Sequence, residues 1–221
     1  MTMQRGVGAG VTDYWNGRAP RFDGVASHVA QRELWRAVLE AAFQADGPKD
    51  VVDLGTGTGA CALLAASLGH RVRACDGSAN MLEVARAAAR QAGLAIAFQD
   101  STIETAEIAD ASADIVTLRN VLWTLERPIE ALLQAQRILR PGGLVLVSDG
   151  LWSVAPEYRS TYPEELAARL PLHDGLTEAA AQDLLTQAGF SGFRSWQHLF
   201  PASPYPGNVP VFVLTARSLA G

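Results

Sequence analysis

Three glycines at alternating positions, Gly55, Gly57 and Gly59, follow a short apolar run. Glycine tolerates positive φ and lets a ligand approach the backbone closely. A helical pattern then runs from about residue 58 to 68, and a helix N-terminus offers free N–H groups. Asp76 lies 21 residues after Gly55, at the end of the next apolar run. An acid at that spacing accepts hydrogen bonds from a ribose diol, so these residues predict a site for a nucleotide-type cofactor.

Two kinds of nucleotide fit this segment. The pattern formed by Gly55, Gly57 and Ala60 satisfies a dinucleotide fingerprint, although three small residues over six positions form a weak signal. Asp53 stands two residues before the first glycine, where a carboxylate would repel a pyrophosphate. A ligand that carries an ammonium and a sulfonium would instead be attracted to it. Both groups occur in the methionine part of S-adenosylmethionine.

Over about residues 11–150, the chain resembles the small-molecule members of the class I S-adenosylmethionine-dependent methyltransferases. Residues 53–59 resemble the first motif of that family, and residues 76–86 resemble the end of its second strand with the following helix. Four further segments match in the right order: the third strand end (98–101), the fourth strand and its loop (114–125), the turn and fifth strand (139–147), and the N-terminal lid (14–23).

The resemblance implies an α/β, Rossmann-like fold with a seven-stranded sheet in the order 3-2-1-4-5-7-6, the last strand antiparallel, helices on both faces and an N-terminal lid. The alternation of apolar runs and helical patterns agrees with a parallel sheet covered by helices. We predict strands near 51–54, 71–75, 95–99, 114–118 and 143–149, extended runs at 190–200 and 209–217, and helices near 27–45, 58–68, 79–92, 128–139 and 178–188.

A length of 221 residues suits a single domain. The glycine content up to Thr12 predicts a flexible start. We divide the domain into a flexible N-terminus and lid (1–26), a cofactor-binding core (27–149), a substrate cover (150–176), and a final helix with an edge hairpin (177–221).

The resemblance also assigns roles in the cofactor site. Asp53 is expected to approach the methionine ammonium or only to satisfy its own loop, and Asp76 to bind the ribose or to cap the next helix. Asp100 is expected to reach the adenine amino group, and Met81 to lie under the adenine or in the core. The other expected cofactor contacts are Tyr14, Arg18, Gly55, Thr56, Gly57, Gly59, Gly77, Ser101, Arg119 and Asn120.

Within that set, Tyr14 and Arg18 are expected at the cofactor's carboxylate, although an arginine on such a helix is more often solvated. Arg119 and Asn120 are expected at the end of the fourth strand, beside the reactive methyl group. They could contact the cofactor through their side chains or through their backbone carbonyls. Asn120 stands where relatives often carry a histidine. If that histidine is their general base, this chain lacks it.

Methyl transfer from a sulfonium is a displacement that depends mainly on alignment, so it needs a base only when the nucleophile must lose a proton. His173 lies in the expected cover and is the first candidate for that base, with Asn120 as a second catalytic candidate. His28 and His198 are weaker candidates, and His70 is expected to be inert. No cluster of His, Asp and Glu at metal-ligand spacing is present, which disfavours a metal-dependent catechol mechanism.

The composition limits the partners. A net charge of −5, with Lys49 as the sole lysine, argues against a nucleic-acid footprint. Cys61 and Cys75 are expected to be buried thiols, and no apolar run is long enough to span a membrane. We therefore expect a cytoplasmic protein, a monomer or a homodimer, that acts on a small-molecule methyl acceptor. The rim of the expected substrate opening is aromatic and apolar, with a few arginines: Arg18, Arg21, Arg159 and Arg169. Trp123 is expected to pack against the helix rather than to stack on the substrate.

Two other functions remain open at this stage. A nicotinamide-dependent oxidoreductase would use the dinucleotide pattern, but the sole lysine, Lys49, excludes a Tyr–Lys pair beyond residue 120. A cofactor-binding module without turnover is consistent with Asn120. The favoured function is S-adenosylmethionine-dependent methyl transfer to an oxygen or nitrogen of a small molecule, which releases S-adenosylhomocysteine.

Overall fold

The computed structural model describes residues 6–25, 31–44, 46–154, 162–200 and 202–219. They form one seven-stranded sheet with the spatial order β3-β2-β1-β4-β5-β7-β6. The strands are β1 (Asp50–Leu54), β2 (Arg71–Asp76), β3 (Ile96–Asp100), β4 (Ala113–Arg119), β5 (Leu139–Gly150), β6 (Ser191–Ser195) and β7 (Val211–Arg217). Strands β1 to β5 are parallel to one another, and β7 is antiparallel to both β5 and β6. The predicted strand order is confirmed.

Helices lie between and beside these strands. They are α1 (Val7–Val25), α2 (Arg32–Phe43), α3 (Ala60–Ser67), α4 (Ala79–Gln91), α5 (Pro128–Ile138), α6 (Glu164–Ala167) and α7 (Glu178–Gln187). Ser78 and Thr177 begin α4 and α7 as side-chain N-caps, as expected for hydroxyl residues at helix starts.

The core has two layers because alternate residues of a strand point to opposite faces of a sheet. Val52 and Leu54 of β1 face one layer, which α5 and α7 cover, and Val51 faces the other, which α2 and α3 cover. The central strands β1 and β4 are buried on both faces, so they read as near-continuous apolar runs. The carboxyl ends of these strands therefore meet at one edge, where the site lies.

Two boundaries differ from the sequence expectations. Helix α1 begins at Val7, so residues 7–12 form its first turns rather than an irregular segment; this helix packs on α4. Strand β5 begins at Leu139, because this residue already pairs with Ala113 before the glycine turn. The predicted helix at 27–45 is observed as α2, and its first expected turn lies outside the described residues.

No helix of the described residues is long and apolar enough to cross a membrane.

Adjacent leucines on α5 test how much the core layer contributes to stability. Leu132 is fully buried, whereas the side chain of Leu133 is 50% exposed. We expect L132A to lower the free energy of unfolding by about 2–5 kcal/mol, because it leaves a cavity under β4 and β5. L133A is the same leucine-to-alanine substitution in the same helix, and it should lower the free energy of unfolding by at most about 0.5 kcal/mol. Urea unfolding of both variants measures the difference, and equal costs would contradict the assignment of this face to the core.

Candidate active site

A cavity of about 360 Å³ opens at the carboxyl ends of β1, β2 and β4. Open parallel sheets bind ligands at this place, where the strand order changes direction. Helix α1 lies across the cavity and contributes apolar and aromatic side chains. The wall residues that carry the discussion below are Thr12, Trp15, Asp53, Gly55, Thr56, Gly57, Cys61, Asp76, Gly77, Met81, Thr102, Ile103, Glu104, Arg119, Asn120, Val121, Glu126 and Arg127.

The turn from β1 to α3 forms the floor of this cavity. Gly55 has φ +70°, and a Cβ on it would lie 2.4 Å from Cγ2 of Val121, far inside contact distance. The N–H groups of Gly55 and Thr56 donate to the carbonyl of Cys75, at 3.0 and 2.9 Å. The turn is thus fixed between the ends of β2 and β4, and Gly55 and Gly57 contribute only backbone to the cavity wall.

Asp76 braces the same turn from β2. Its Oδ2 accepts from the N–H of Gly57 and its Oδ1 from the N–H of Ser78, both at 2.8 Å. Burial raises the pKa of this carboxyl group. The helix-capping role considered for Asp76 belongs to Ser78, whose Oγ accepts from the N–H of Met81 at 3.2 Å.

Asp53 is 2% exposed and closes the inner end of the cavity. Its two carboxylate oxygens accept hydrogen bonds from the hydroxyls of Thr117 and Thr56, each at 2.6 Å. Burial raises the pKa of Asp53, and the neighbouring charge of Arg119 acts in the opposite direction. The guanidinium carbon of Arg119 lies 3.9 Å from the centre of the Trp35 ring.

Asn120 begins the turn after β4 with a φ of +55°, a conformation that few residues other than glycine adopt without strain. Three hydrogen bonds hold it there. Its N–H donates to the carbonyl of Ser148 at 2.7 Å, its Nδ2 donates to the hydroxyl of Tyr205 at 2.7 Å, and its carbonyl accepts from Nε1 of Trp123 at 3.0 Å.

Asp149, at the end of β5, lies beneath this turn and is fully buried. Its Oδ1 accepts from the N–H of Gly150 at 2.9 Å and from Nε1 of Trp152 at 2.8 Å. The N–H groups of Leu122 and Trp123 also favour its charged form, but burial outweighs all these donors and raises its pKa to about 7. Sequence reasoning missed this residue, although an acid at the end of an apolar strand was a visible signal.

Aromatic rings fill the space above the turn. The indole of Trp15 makes edge contacts with Phe22 and Trp123, both with centroids 5.8 Å apart, and with Tyr162 at 6.4 Å. Such perpendicular pairs are a favoured aromatic geometry. Trp123 is 8% exposed and lies behind Trp15 rather than in the wall, which agrees with the packing role expected for it.

Asn16 connects helix α1 to the start of helix α4. Its Oδ1 accepts from Oγ of Ser78 at 2.7 Å, and its carbonyl accepts from Nδ2 of Asn80 at 3.0 Å. The helix thereby contacts the residues that follow Asp76. Sequence analysis gave no signal for this contact, because residues 16 and 78 come together only through tertiary packing.

Nine of the residues expected to bind the cofactor share the cavity wall: Asp53, Gly55, Thr56, Gly57, Asp76, Gly77, Met81, Arg119 and Asn120. Five others lie outside it. Tyr14 faces Tyr162, with centroids 4.1 Å apart, and Arg18 is exposed above the Tyr14 ring. Gly59 caps α3, and Asp100 and Ser101 precede the wall residues Thr102, Ile103 and Glu104. The structure thus provides no contact to support roles for these five, and their roles stay predictions.

None of the described histidines lies in the wall. Nδ1 of His173 lies 3.0 Å from the carbonyl of Leu170, and its Nε2 is 3.6 Å from Asp174. His198 is exposed, and His70 accepts from the N–H of Lys49. His28 and Arg159 lie outside the described residues. The described part of the chain also contains no group of His, Cys, Asp and Glu suited to a metal ion.

Comparison with known proteins decides between the two cofactor classes. Residues 52–147 match a family model described as a methyltransferase domain. The observed strand order is that of the Rossmann-like methyltransferases.

Residues 52–147 form a methyltransferase domain of the class I, S-adenosylmethionine-dependent type.

Named relatives agree with this family. A demethylmenaquinone methyltransferase of Paenarthrobacter aurescens is 31% identical over 155 residues, which are 69% of this chain and 60% of that protein. A ubiquinone/menaquinone biosynthesis C-methyltransferase of Bdellovibrio bacteriovorus is 33% identical over 116 residues, 52% of this chain and 49% of that protein. The chain thus spans about half to two thirds of the length of these two relatives.

Solved structures share the fold at low identity. A methyltransferase from Methanosarcina mazei superposes with a TM-score of 0.64 at 20% identity, over 83% of this chain and 98% of that one. The [4+2]-cyclase SpnF superposes with a TM-score of 0.65 at 18% identity, over 85% and 80% of the two chains. The class I fold therefore also occurs in a protein that is named as a cyclase.

The cofactor of this methyltransferase family is S-adenosyl-L-methionine, and the cavity fits it in two respects. A Cβ on Gly55 would collide with Val121, and one on Gly77 would lie 3.2 Å from Oγ1 of Thr12, so the wall at both positions is backbone without a side chain. The acids Asp53 and Asp76 share the wall, which suits a cationic amino acid at one end and a ribose at the other.

The close approach of Gly55 to Val121 can be tested by its effect on stability. G57A should cost about 1–2 kcal/mol, because alanine is strained at a φ of +55° but its Cβ meets nothing within 4 Å. G55A carries the same strain and adds a collision, so we expect about 1–3 kcal/mol more. Removing the colliding methyl group in G55A/V121A should recover part of that excess. Equal unfolding free energies for G55A and G57A would contradict this account.

Asp149 should make stability depend on pH. Its raised pKa of about 7 means that the folded protein keeps a proton that the unfolded chain releases near pH 4. This contribution is complete below pH 4 and is lost as the pH rises through 7. The Tm of the wild type minus that of D149N should therefore fall between pH 5 and 8. Asp53 and Asp76 titrate in both proteins, so their effects cancel in this difference. A difference in Tm that does not change with pH would refute the assigned role of Asp149.

Proposed function

We propose that this methyltransferase family member transfers the methyl group of S-adenosylmethionine to a nucleophilic atom of a small molecule. The observation that carries the proposal is the cavity at the switch point of the sheet, where the side-chain-free turn at Gly55 lies between the acids Asp53 and Asp76. Family membership supplies the methyl donor, and the cavity supplies walls that suit each part of it.

The assignment of wall residues follows from their order along the cavity. Asp76 stands where an acid accepts from a ribose diol, with both oxygens already oriented by backbone N–H groups. Met81 and Ile103 are buried wall residues suited to the faces of the adenine. For the adenine amino group we place Glu104 beside the earlier candidates Asp100 and Ser101, because Glu104 lines the cavity.

The bound cofactor supplies a methyl carbon that its sulfonium already activates. The chain's own contribution is orientation and the exclusion of water, which alone can account for large rate accelerations. Helix α1 and the rings around Trp15 cover the cavity. Asn120 offers a neutral hydrogen-bonding group that two strands hold in place. We retain it as the catalytic candidate, while His173 keeps that role only as a sequence prediction.

The acceptor is proposed from the wall and from the relatives. Trp15, Phe22 and Leu125 give the cavity an apolar and aromatic side, which suits a small planar molecule. The two relatives described above are named as a demethylmenaquinone methyltransferase and as a C-methyltransferase of ubiquinone/menaquinone biosynthesis. We propose a planar, weakly acidic acceptor. Oxygen and nitrogen are the acceptor atoms expected from the sequence, and the C-methyltransferase among the relatives adds carbon as a third. Such an acceptor ionises readily, so it needs no histidine base.

Calorimetry and a methyl-transfer assay test this proposal. The wild type should bind S-adenosylhomocysteine but not a nicotinamide dinucleotide. D76N should raise the Kd for S-adenosylhomocysteine by about 10- to 100-fold, because it removes charge-assisted hydrogen bonds worth about 1.5–3 kcal/mol. E83Q, which makes the same charge change on the exposed face of α4, should leave that Kd unchanged.

Methyl transfer from a labelled donor to a panel of hydroquinones, phenols and amines gives the second result. Turnover of one of these acceptors supports the function. Binding of the cofactor without transfer to any of them would favour the module without turnover. Binding of the dinucleotide alone would refute the proposal.

A further inference from the structure

Arg119 is a cation of the cavity wall that a buried ring holds in place. It ends β4 on the face that α2 and α3 cover, since Ile115 of the same strand packs there and residues of one face recur at every second position. Its guanidinium carbon lies 3.9 Å from the centre of the Trp35 ring. Trp35 is 2% exposed on α2 and packs against Phe200, with ring centroids 5.0 Å apart.

This stacking restricts where the guanidinium can lie. A desolvated cation–π pair is among the stronger interactions that an arginine makes with a ring, and a buried tryptophan in a packed layer has little freedom to move. Helix α2 supplies no residue to the cavity wall among those that the structure describes. Its contribution to the site is therefore this seat for Arg119.

An anion stands next to this cation. Asp53 pairs across β1 and β4 with Thr117, two residues before Arg119, and the charge of Arg119 acts on the ionisation of both Asp53 and Cys61. Asp53 is fixed by two hydroxyl donors, as Arg119 is by its ring. The inner end of the cavity thus presents one immobilised negative group and one immobilised positive group.

A free amino acid is the chemical complement of such a pair. Its ammonium and carboxylate sit on the same carbon atom, so a site for it needs an anion and a cation side by side. A guanidinium also matches a carboxylate in two parallel hydrogen bonds, which makes arginine the preferred partner. The methionine part of the cofactor is an amino acid of this kind.

The other arginines nearby fit less well. Arg18, which the sequence suggested for the carboxylate, is exposed and stacks over Tyr14 outside the wall. Arg127 lines the cavity but forms an ion pair with Glu130 at 2.7 Å, with a side chain that is 63% exposed. Neither is seated beside Asp53.

We propose that Arg119, seated on Trp35, binds the carboxylate of the cofactor's amino-acid end while Asp53 faces its ammonium. Trp35 is then a positioning residue that acts through Arg119. This assignment rests on the proposed function, since it needs an S-adenosyl ligand in the cavity. It replaces Arg18 with a residue that is fixed before the ligand arrives.

A pair of ligands that differ only in the carboxylate tests the assignment. Calorimetry would measure Kd for S-adenosylhomocysteine and for S-adenosyl-3-thiopropylamine, the same thioether without that group. The wild type should prefer the first by about 10- to 100-fold, as expected for charge-assisted hydrogen bonds. R119Q should reduce this preference to about 3-fold or less, and R119K should retain part of it, because it keeps the charge without the fork.

The controls separate a specific role from a structural one. R127Q should keep the full preference, and W35F should keep more of it than W35L, since phenylalanine preserves a ring face. Equal weakening of both ligands by R119Q, or an unchanged preference in R119Q and R119K, would overturn the Arg119 assignment while the proposed function stands. A wild type that binds neither ligand would overturn both.

Discussion

The turn after β1 passes so close to β4 that Gly55 and Val121 leave no room for a Cβ between them. This approach sets the position of everything around it. The carbonyl of Cys75 holds the turn from the β2 side, and Asp76 holds it through the N–H of Gly57. The turn after β4 begins with Asn120, whose N–H donates to the carbonyl of Ser148 on β5. A shift of one turn would therefore move the other, and the cavity would lose its floor and its side together.

Buried acids are the second feature on which the site depends. Asp53, Asp76 and Asp149 all have pKa values raised by burial, a cost that structures tolerate mainly at functional positions. Each is compensated in a different way. Hydroxyls bond to Asp53, backbone N–H groups bond to Asp76, and an indole with backbone N–H groups bonds to Asp149. Together these acids tie the ends of β1, β2 and β5 to the turns that surround the cavity.

Helix α1 and α2 complete the site from outside the sheet. Helix α1 brings Trp15 and Thr12 over the cavity and is joined to α4 through Asn16. Helix α2 contributes at a distance, through the Trp35 ring under Arg119. In both cases a residue remote in sequence determines how a wall residue is held. The part of the chain before the glycine turn therefore shapes a cavity whose wall comes mainly from the loops that follow the core strands.

The sequence by itself determined the glycine turn and its two acids, because glycine spacing and the acid after the next strand are local patterns. Periodicity indicated a parallel sheet covered by helices, whereas the strand order and the family came from the resemblance of six ordered segments to known methyltransferases. It also placed Asp53, Asp76 and Met81 correctly at strand and helix ends, where they line the cavity. It did not identify Asn16, Trp35, Asp149 or Glu104, and it expected Arg18 at the cofactor, although Arg18 lies outside the wall. Those roles depend on which side of a helix or loop meets the cavity, and on contacts between segments far apart in the chain. Only the packing of α1, α2 and the turn after β4 against the sheet decides them, since no local pattern records the rotation of a helix about its axis or the side chain that lies across from it.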